Sequence, residues 1–165
     1  MAGYISRLRM NGHFTVFVFV MIGVMLGMNT QASAAGSGDY TATATTPPVI
    51  AKAQKAINKN DFAAAYDMLA ANESTYSKNA DLYNLMGYSA RKLGRYDDSM
   101  AHYTKALDIN PKHKGALEYM GELYLTLGQP DQAKTLLARL AKICTFGCEE
   151  KRELQEAIAK YESEN

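Results

Sequence analysis

The chain has 165 residues, which is the length of one ordinary domain. Its 18 basic and 17 acidic side chains give a formal net charge of +1, so neither nucleic-acid binding nor an acidic tail is indicated. The sequence contains no phosphate-binding glycine loop, no helix with paired histidines and no nucleophile elbow. We therefore expect no enzymatic activity, no cofactor and no metal site.

The first 34 residues have the pattern of a secretory signal. Arg7 and Arg9 precede an uncharged apolar run from Phe14 to Met28, and Ala32-Ser33-Ala34 supplies a cleavage site of small residues. Those 15 apolar residues rise about 22 Å as a helix, less than the roughly 30 Å apolar core of a membrane. We expect cleavage and a periplasmic or secreted protein; the alternative is an uncleaved inner-membrane anchor, the only part that would contact a membrane.

Small polar residues follow the signal and predict a disordered linker over residues 35–46. The remainder, from residue 47 onward, has a period of 34 residues. Gly87 and Gly121 are separated by one period, and so are Gly94 and Gly128. Repeats of this length are helical hairpins that stack, because one hairpin cannot bury its apolar side alone. The predicted units are residues 46–79, 80–113 and 114–147, of which the first is degenerate.

Each unit is predicted to be two amphipathic helices joined by a short turn. Gly94 lies at that turn, where a left-handed residue commonly ends a helix, and Asn60 takes its place in the first unit. Gly87 and Ser99 in the middle unit, and Gly121 and Ala133 one period later, leave room for the two helices of a unit to approach closely, and the large residues one turn away fill the remaining space. Apolar or small residues recur at helical spacing in the two helices of the middle unit, at Leu82, Leu85, Met86 and Ser89 and at Met100, Tyr103, Thr104 and Leu107.

This pattern resembles the tetratricopeptide repeat. In the middle unit the family's positions hold Tyr83, Met86, Gly87, Ala90, Ser99, Tyr103, Ala106 and Pro111. The resemblance implies an all-α fold, a right-handed superhelical stack of about three helix-turn-helix hairpins over residues 47–147. Residues 148–165 are predicted to add a C-terminal capping helix, with Leu154, Ile158 and Tyr161 on one stripe.

The resemblance also implies a concave groove, lined by the first helix of each unit, that binds a protein or peptide. The residues expected to face this groove are Gln54, Ile57, Asn84, Tyr88, Arg91, Glu118, Glu122 and Leu125. Relatives that bind chaperone tails grip a terminal carboxylate with lysines, asparagines and an arginine. That activity is not expected here, because the clamp positions hold Ile50, Gln54, Leu85, Gly115 and Tyr119. The leading prediction is an exported adaptor or scaffold for protein–protein interaction.

Cys144 and Cys148 are the only two cysteines. Residues four apart in an unbroken helix have Cβ atoms about 5–6 Å apart, whereas a disulfide needs roughly 3.5–4.5 Å, so Gly147 must break the helix between them. An oxidising compartment then favours a disulfide. Two other functions remain open: a thiol-redox or copper-handling accessory factor that uses this pair, and a structural protein that self-assembles through the weak first repeat.

Two histidines follow the signal, His102 and His113. His102 is predicted to be a partly exposed structural residue of a second helix, because no catalytic partner stands at a useful spacing. His113 is predicted to be solvated between repeats.

Overall fold

The computed structural model describes residues 46–165, so the predicted signal over residues 1–34 and nearly all of the predicted linker lie outside the described range. The described residues form seven helices: α1 Pro48–Ile57, α2 Phe62–Ala70, α3 Ala80–Lys92, α4 Tyr96–Ile109, α5 Lys114–Thr126, α6 Pro130–Ile143 and α7 Glu149–Glu164. Helices α1–α2, α3–α4 and α5–α6 pair as hairpins, and α7 packs on α5 and α6. The predicted all-α stack with a last capping helix is confirmed. None of these helices is both long enough and apolar enough to cross a membrane.

The turn inside each hairpin contains one left-handed residue, as the 34-residue period predicts. These residues are Asn60 (φ 60°), Gly94 (φ 74°) and Gly128 (φ 72°). The first turn of α3 is capped by Asn79, whose side chain accepts a hydrogen bond of 2.9 Å from the backbone N–H of Leu82. Local sequence therefore sets both where the helices begin and where they end.

Gly87 brings α3 and α4 into direct contact. A Cβ atom on Gly87 would lie only 2.6 Å from the Tyr103 ring, and the Ser99 hydroxyl of α4 donates a 2.8 Å hydrogen bond to the Gly87 carbonyl. The expected close approach within the middle unit is thus confirmed.

Gly121 makes a different contact. A Cβ there would lie 2.6 Å from a δ-carbon of Leu154, which belongs to α7 and not to the same hairpin. Leu137, which is one period after Tyr103, is only half-buried. The large side chain nearest to Gly121 therefore comes from α7, whereas the sequence predicts one from the second helix of the same unit.

In α3, α4 and α7 the buried side chains follow the predicted stripes, except at one position in α4. Leu154 and Ile158 of α7 are buried and Tyr161 is half-buried, as predicted. Thr104 of α4 is exposed, whereas Ala106 is buried. The buried face of α4 turns toward Ala106 because α4 packs against α5 as well as α3.

The two histidines have structural contacts, and the prediction for His113 is wrong. His113 is buried and caps α5: its Nδ1 accepts a 3.1 Å hydrogen bond from the backbone N–H of Ala116. Nε2 lies 3.0 Å from Asp81 Oδ1, so the proton belongs on Nε2 when Nδ1 accepts. His102 is half-buried, as expected, with Nε2 3.1 Å from the Tyr66 hydroxyl oxygen.

We expect Gly87→Ala to lower the free energy of unfolding by about 1–3 kcal/mol, because the rigid Tyr103 ring cannot move aside. Gly121→Ala should also lower the free energy of unfolding, because the added methyl group would lie within 3.2 Å of both δ-carbons and the γ-carbon of the fully buried Leu154. Urea denaturation measures both changes.

The control is Ala101→Gly on the exposed face of α4, which should cost about 1 kcal/mol through helix propensity alone. If Gly87→Ala instead raised the free energy of unfolding by about 1 kcal/mol, as helix propensity alone predicts, then Gly87 would not be in tight contact with the Tyr103 ring.

Candidate functional site on the inner face

The first helix of each hairpin carries the predicted groove residues, and several of them are buried. Ile57 and Leu125 belong to the hydrophobic core, and Asn84 is buried as well. Gln54 is half-buried and donates a 2.9 Å hydrogen bond to Asn58 Oδ1. Of the remaining four predicted residues, Tyr88, Arg91 and Glu122 reach solvent and can contact a partner, whereas Glu118 is buried.

The remaining four predicted residues are close together on α3 and α5, where they form what we call the inner polar cluster: Tyr88, Arg91, Glu118 and Glu122. Tyr88 and Arg91 are about one turn apart on α3, and the two glutamates are one turn apart on α5. Arg91 Nη2 lies 2.6 Å from Glu122 Oε2. This ion pair links the middle and last hairpins.

Aromatic rings surround the ion pair. The Arg91 guanidinium carbon lies 5.5 Å from the centre of the Tyr88 ring and 5.9 Å from that of Tyr119. The two ring centres are 4.8 Å apart. The side chains of Arg91 and Glu122 are 13% and 29% exposed, so the pair is shielded but still reaches solvent. Charge and aromatic surface thus coincide at one place on the inner face.

Burial changes the ionisation of the groups around the cluster. It raises the pKa of the Tyr88 hydroxyl, although the positive charge of Arg91 partly offsets the effect. Burial and the same arginine lower the pKa of Lys92. The cluster therefore favours a neutral Tyr88 and weakens the charged form of Lys92.

Glu118 is the buried member of the cluster, with 1% of its surface exposed. Burial raises the pKa of its carboxyl to about 10, and the hydrogen bond and negative charge of Glu153 on α7 add to the effect. Glu118 is therefore a neutral acid at pH 7, which can donate a hydrogen bond to Glu153. Its Oε2 atom has no hydrogen-bond partner. Proximity of two carboxyl groups is tolerated here because one of them keeps its proton.

Covalent and ionic links fix the start of α7. Cys144 ends α6, Cys148 precedes α7, and the two form a disulfide with their Cα atoms 5.6 Å apart. Gly147 has a φ of 90°, so the predicted helix break is confirmed together with the pairing. Lys114 Nζ lies 3.3 Å from Glu150 Oε1, which ties α7 to the first turn of α5.

The cysteine pair has no metal-binding surroundings in the described part of the chain. Over residues 46–165 no group of three or more histidine, cysteine, aspartate or glutamate side chains is placed to hold a metal ion. Cys144 is also buried. The position of the pair, between α6 and α7, is that of a structural link.

Sequence reasoning missed the contribution of α7 to the inner face. Glu153 contacts Glu118, although it was not expected at the groove. Tyr119 was expected at a clamp position but not among the residues that face the groove, and it forms the aromatic wall. Tyr119 directly follows the predicted groove residue Glu118, so its position in the sequence could have indicated that it lies near the inner face. No local signal identifies Glu153, because its contact depends on how α7 packs on α5.

Comparison with known proteins agrees with the geometry. The tetratricopeptide repeat family model matches residues 90–143. No curated protein sequence matches the chain significantly. Among solved structures, the first tetratricopeptide domain of human RPAP3 superposes with a TM-score of 0.60 at 17% identity, covering 71% of this chain and 94% of that one. The chain has a tetratricopeptide-repeat fold.

Two further solved structures share this tetratricopeptide-repeat fold. The first repeat domain of Spaghetti (RPAP3), bound to the HSP90 peptide SRMEEVD, is similar with a TM-score of 0.60 at 16% identity, covering 70% of this chain and 90% of that one. The type III secretion translocator chaperone SycD of Yersinia enterocolitica is similar with a TM-score of 0.63 at 13% identity, with the same two coverages.

Glu118 makes the tetratricopeptide-repeat stack less stable as the pH rises above 4.5. Its folded-state pKa lies above the ordinary value of 4.5, so the folded state keeps the proton that the unfolded state releases. The stability that this group contributes is complete below pH 4.5 and is lost as the pH rises toward 10. We expect Glu118→Gln to be increasingly more stable than wild type between about pH 5 and 9, by up to about 1.4 kcal/mol per pH unit. Urea denaturation at several pH values measures the difference.

The control for this comparison is Glu156→Gln on the exposed face of α7, which makes the same substitution at a carboxyl group that is not buried. Parallel stability curves for wild type and Glu118→Gln would contradict a protonated Glu118.

Proposed function

We propose that the chain is an exported adaptor that holds a peptide segment or a helix of another protein against its inner face. The observation that carries this proposal is the inner polar cluster, where the Arg91–Glu122 ion pair lies beside Tyr88 and Tyr119. Arginine and tyrosine are the residues that most often dominate binding energy at protein interfaces. Partly shielded groups of this kind can strengthen their contacts when a partner excludes the remaining water.

The proposed ligand is an internal peptide segment, not a free carboxyl terminus. The RPAP3 repeat domain is bound to an HSP90 peptide, but here the clamp positions of chaperone-tail binders hold no cation. Ile50, Leu85 and Tyr119 at those positions are buried. Cationic side chains at the inner face are Arg91 and Lys92, and Arg91 already pairs with Glu122. A peptide that offers both a hydrogen-bonding group and an apolar side chain suits this surface best.

Export remains part of the proposal because of the N-terminal pattern and the cysteines. A basic, apolar and small-residue sequence precedes the repeats, and a disulfide persists best in an oxidising compartment. We propose a periplasmic or secreted location for the folded repeats.

The test is a quantitative pull-down from envelope extract with wild type, Tyr88→Ala and Arg91→Glu. We expect both variants to lose the same partners, with at least a tenfold fall in recovery, because each removes one wall of the cluster. A double variant, Arg91→Glu with Glu122→Arg, keeps the ion pair but reverses its direction, and it should also lose them. This double variant separates loss of the binding surface from loss of the ion pair.

Lys142→Glu is the matched control, since it makes the same charge change on the exposed face of α6. It should keep every partner. Equal recovery of the same partners by wild type and all inner-face variants would refute binding at this surface.

A further inference from the structure

His102 joins the second helices of the first and middle hairpins. In the described part of the chain the backbone of α2 packs against α1 and α3 but does not approach α4, so side chains make this connection. The centre of the His102 ring on α4 lies 5.7 Å from that of Tyr66 on α2, and His102 Nε2 lies 3.1 Å from the Tyr66 hydroxyl oxygen. The buried ring of Tyr83 on α3 stacks with His102, with 6.3 Å between the ring centres. His102 is therefore the point at which α2, α3 and α4 meet.

Positive charges lie against the tyrosines of this contact. The guanidinium carbon of Arg95, at the start of α4, lies 4.2 Å from the centre of the Tyr66 ring. Arg95 also pairs with Asp98, with 2.7 Å between Nη2 and Oδ2. Lys105 Nζ lies 6.0 Å from the centre of the Tyr83 ring. Two cations thus lie beside the rings that a charged histidine would contact.

The surroundings of His102 favour its neutral form. Burial lowers the pKa of His102 from the ordinary value of 6.5, and the positive charge of Arg95 adds to this effect. The carboxylates of Asp98 and of Glu73, which follows α2, act in the opposite direction but do not cancel it. Because Tyr66 covers the ring from the first hairpin, opening of that hairpin would return His102 to water.

We propose that His102 makes the attachment of the first hairpin to the stack sensitive to acid. While His102 is neutral, its contact with Tyr66 holds α2 against α4. When His102 takes up a proton, the form in which α1 and α2 have moved away from α4 gains stability, because water then solvates the positive charge. The stability that this contact contributes is complete above pH 6.5 and is lost as the pH falls below that value, since the open form binds the proton more readily. This sign is opposite to that of Glu118, and the proposal does not depend on the inner-face adaptor function.

Native-state hydrogen exchange of the full chain tests this coupling, with each amide rate corrected for the intrinsic rate at that pH. Between about pH 7.5 and about pH 5.5, the opening constant of the Tyr66 and Leu69 amides on α2 should rise about threefold or more. The Leu123 amide on α5 is the internal reference and should not show this rise, because Glu118 favours the stack at lower pH. In His102→Gln, which cannot take up a proton, the rise at α2 should disappear. No rise in wild type, or an equal rise in His102→Gln, would overturn the proposal.

NMR titration of the His102 ring measures the same coupling from the side of the histidine. We expect wild-type His102 to titrate below pH 6.5, and Tyr66→Ala to move its pKa upward toward 6.5 because solvent then reaches the ring. Tyr96→Ala is the matched control, since it removes a partly exposed tyrosine of α4, and it should leave the pKa of His102 unchanged. Titration of wild-type His102 at or above pH 6.5, or an unchanged pKa in Tyr66→Ala, would show that α2 does not keep the histidine neutral and would also overturn the proposal.

Discussion

The packing of Leu154 against Gly121 is the contact on which the closed stack depends. Because Gly121 has no side chain, α7 can approach α5 closely enough for Leu154 to be fully buried. A stack of helical hairpins exposes an apolar face at its last repeat, and a terminal helix must cover that face. The disulfide at one end of α7 and the Lys114–Glu150 pair then hold the helix in the register that this contact requires.

Close packing of α7 also determines the electrostatics of the inner face. It brings Glu153 within hydrogen-bond reach of Glu118, which is buried too deeply to ionise at pH 7. Above it, the Arg91–Glu122 pair stays partly open to solvent. Glu118 thus stays protonated between α5 and α7, whereas the Arg91–Glu122 pair and the tyrosine rings beside it remain partly accessible to solvent.

Most of the fold could be predicted because it depends on local signals that recur every 34 residues. Asn60, Gly94 and Gly128 end helices through their own backbone conformation, and Gly147 does the same between the cysteines. Contacts between distant helices could not be predicted in this way. The side chain nearest to Gly121 lies on α7, and His113 at the start of α5 contacts Asp81 in the first turn of α3. The sequence also could not show which of the predicted groove residues are exposed, because exposure depends on how neighbouring helices pack. Asn84 and Tyr88, for example, are one turn apart on α3, but Asn84 is buried and Tyr88 is half-buried.

Native-state hydrogen exchange tests the central role of α7 most directly. If Leu154 and the disulfide make α7 part of one cooperative stack, its Leu154 and Ile158 amides should open with the same free energy as the Leu117 and Leu123 amides of α5. Reduction of the disulfide should lower the value for α7 by about 2 kcal/mol, as expected for so short a loop. If, in the oxidised protein, the free energy of opening of the α7 amides were several kcal/mol lower than that of the α5 amides, α7 would not be part of one cooperative stack.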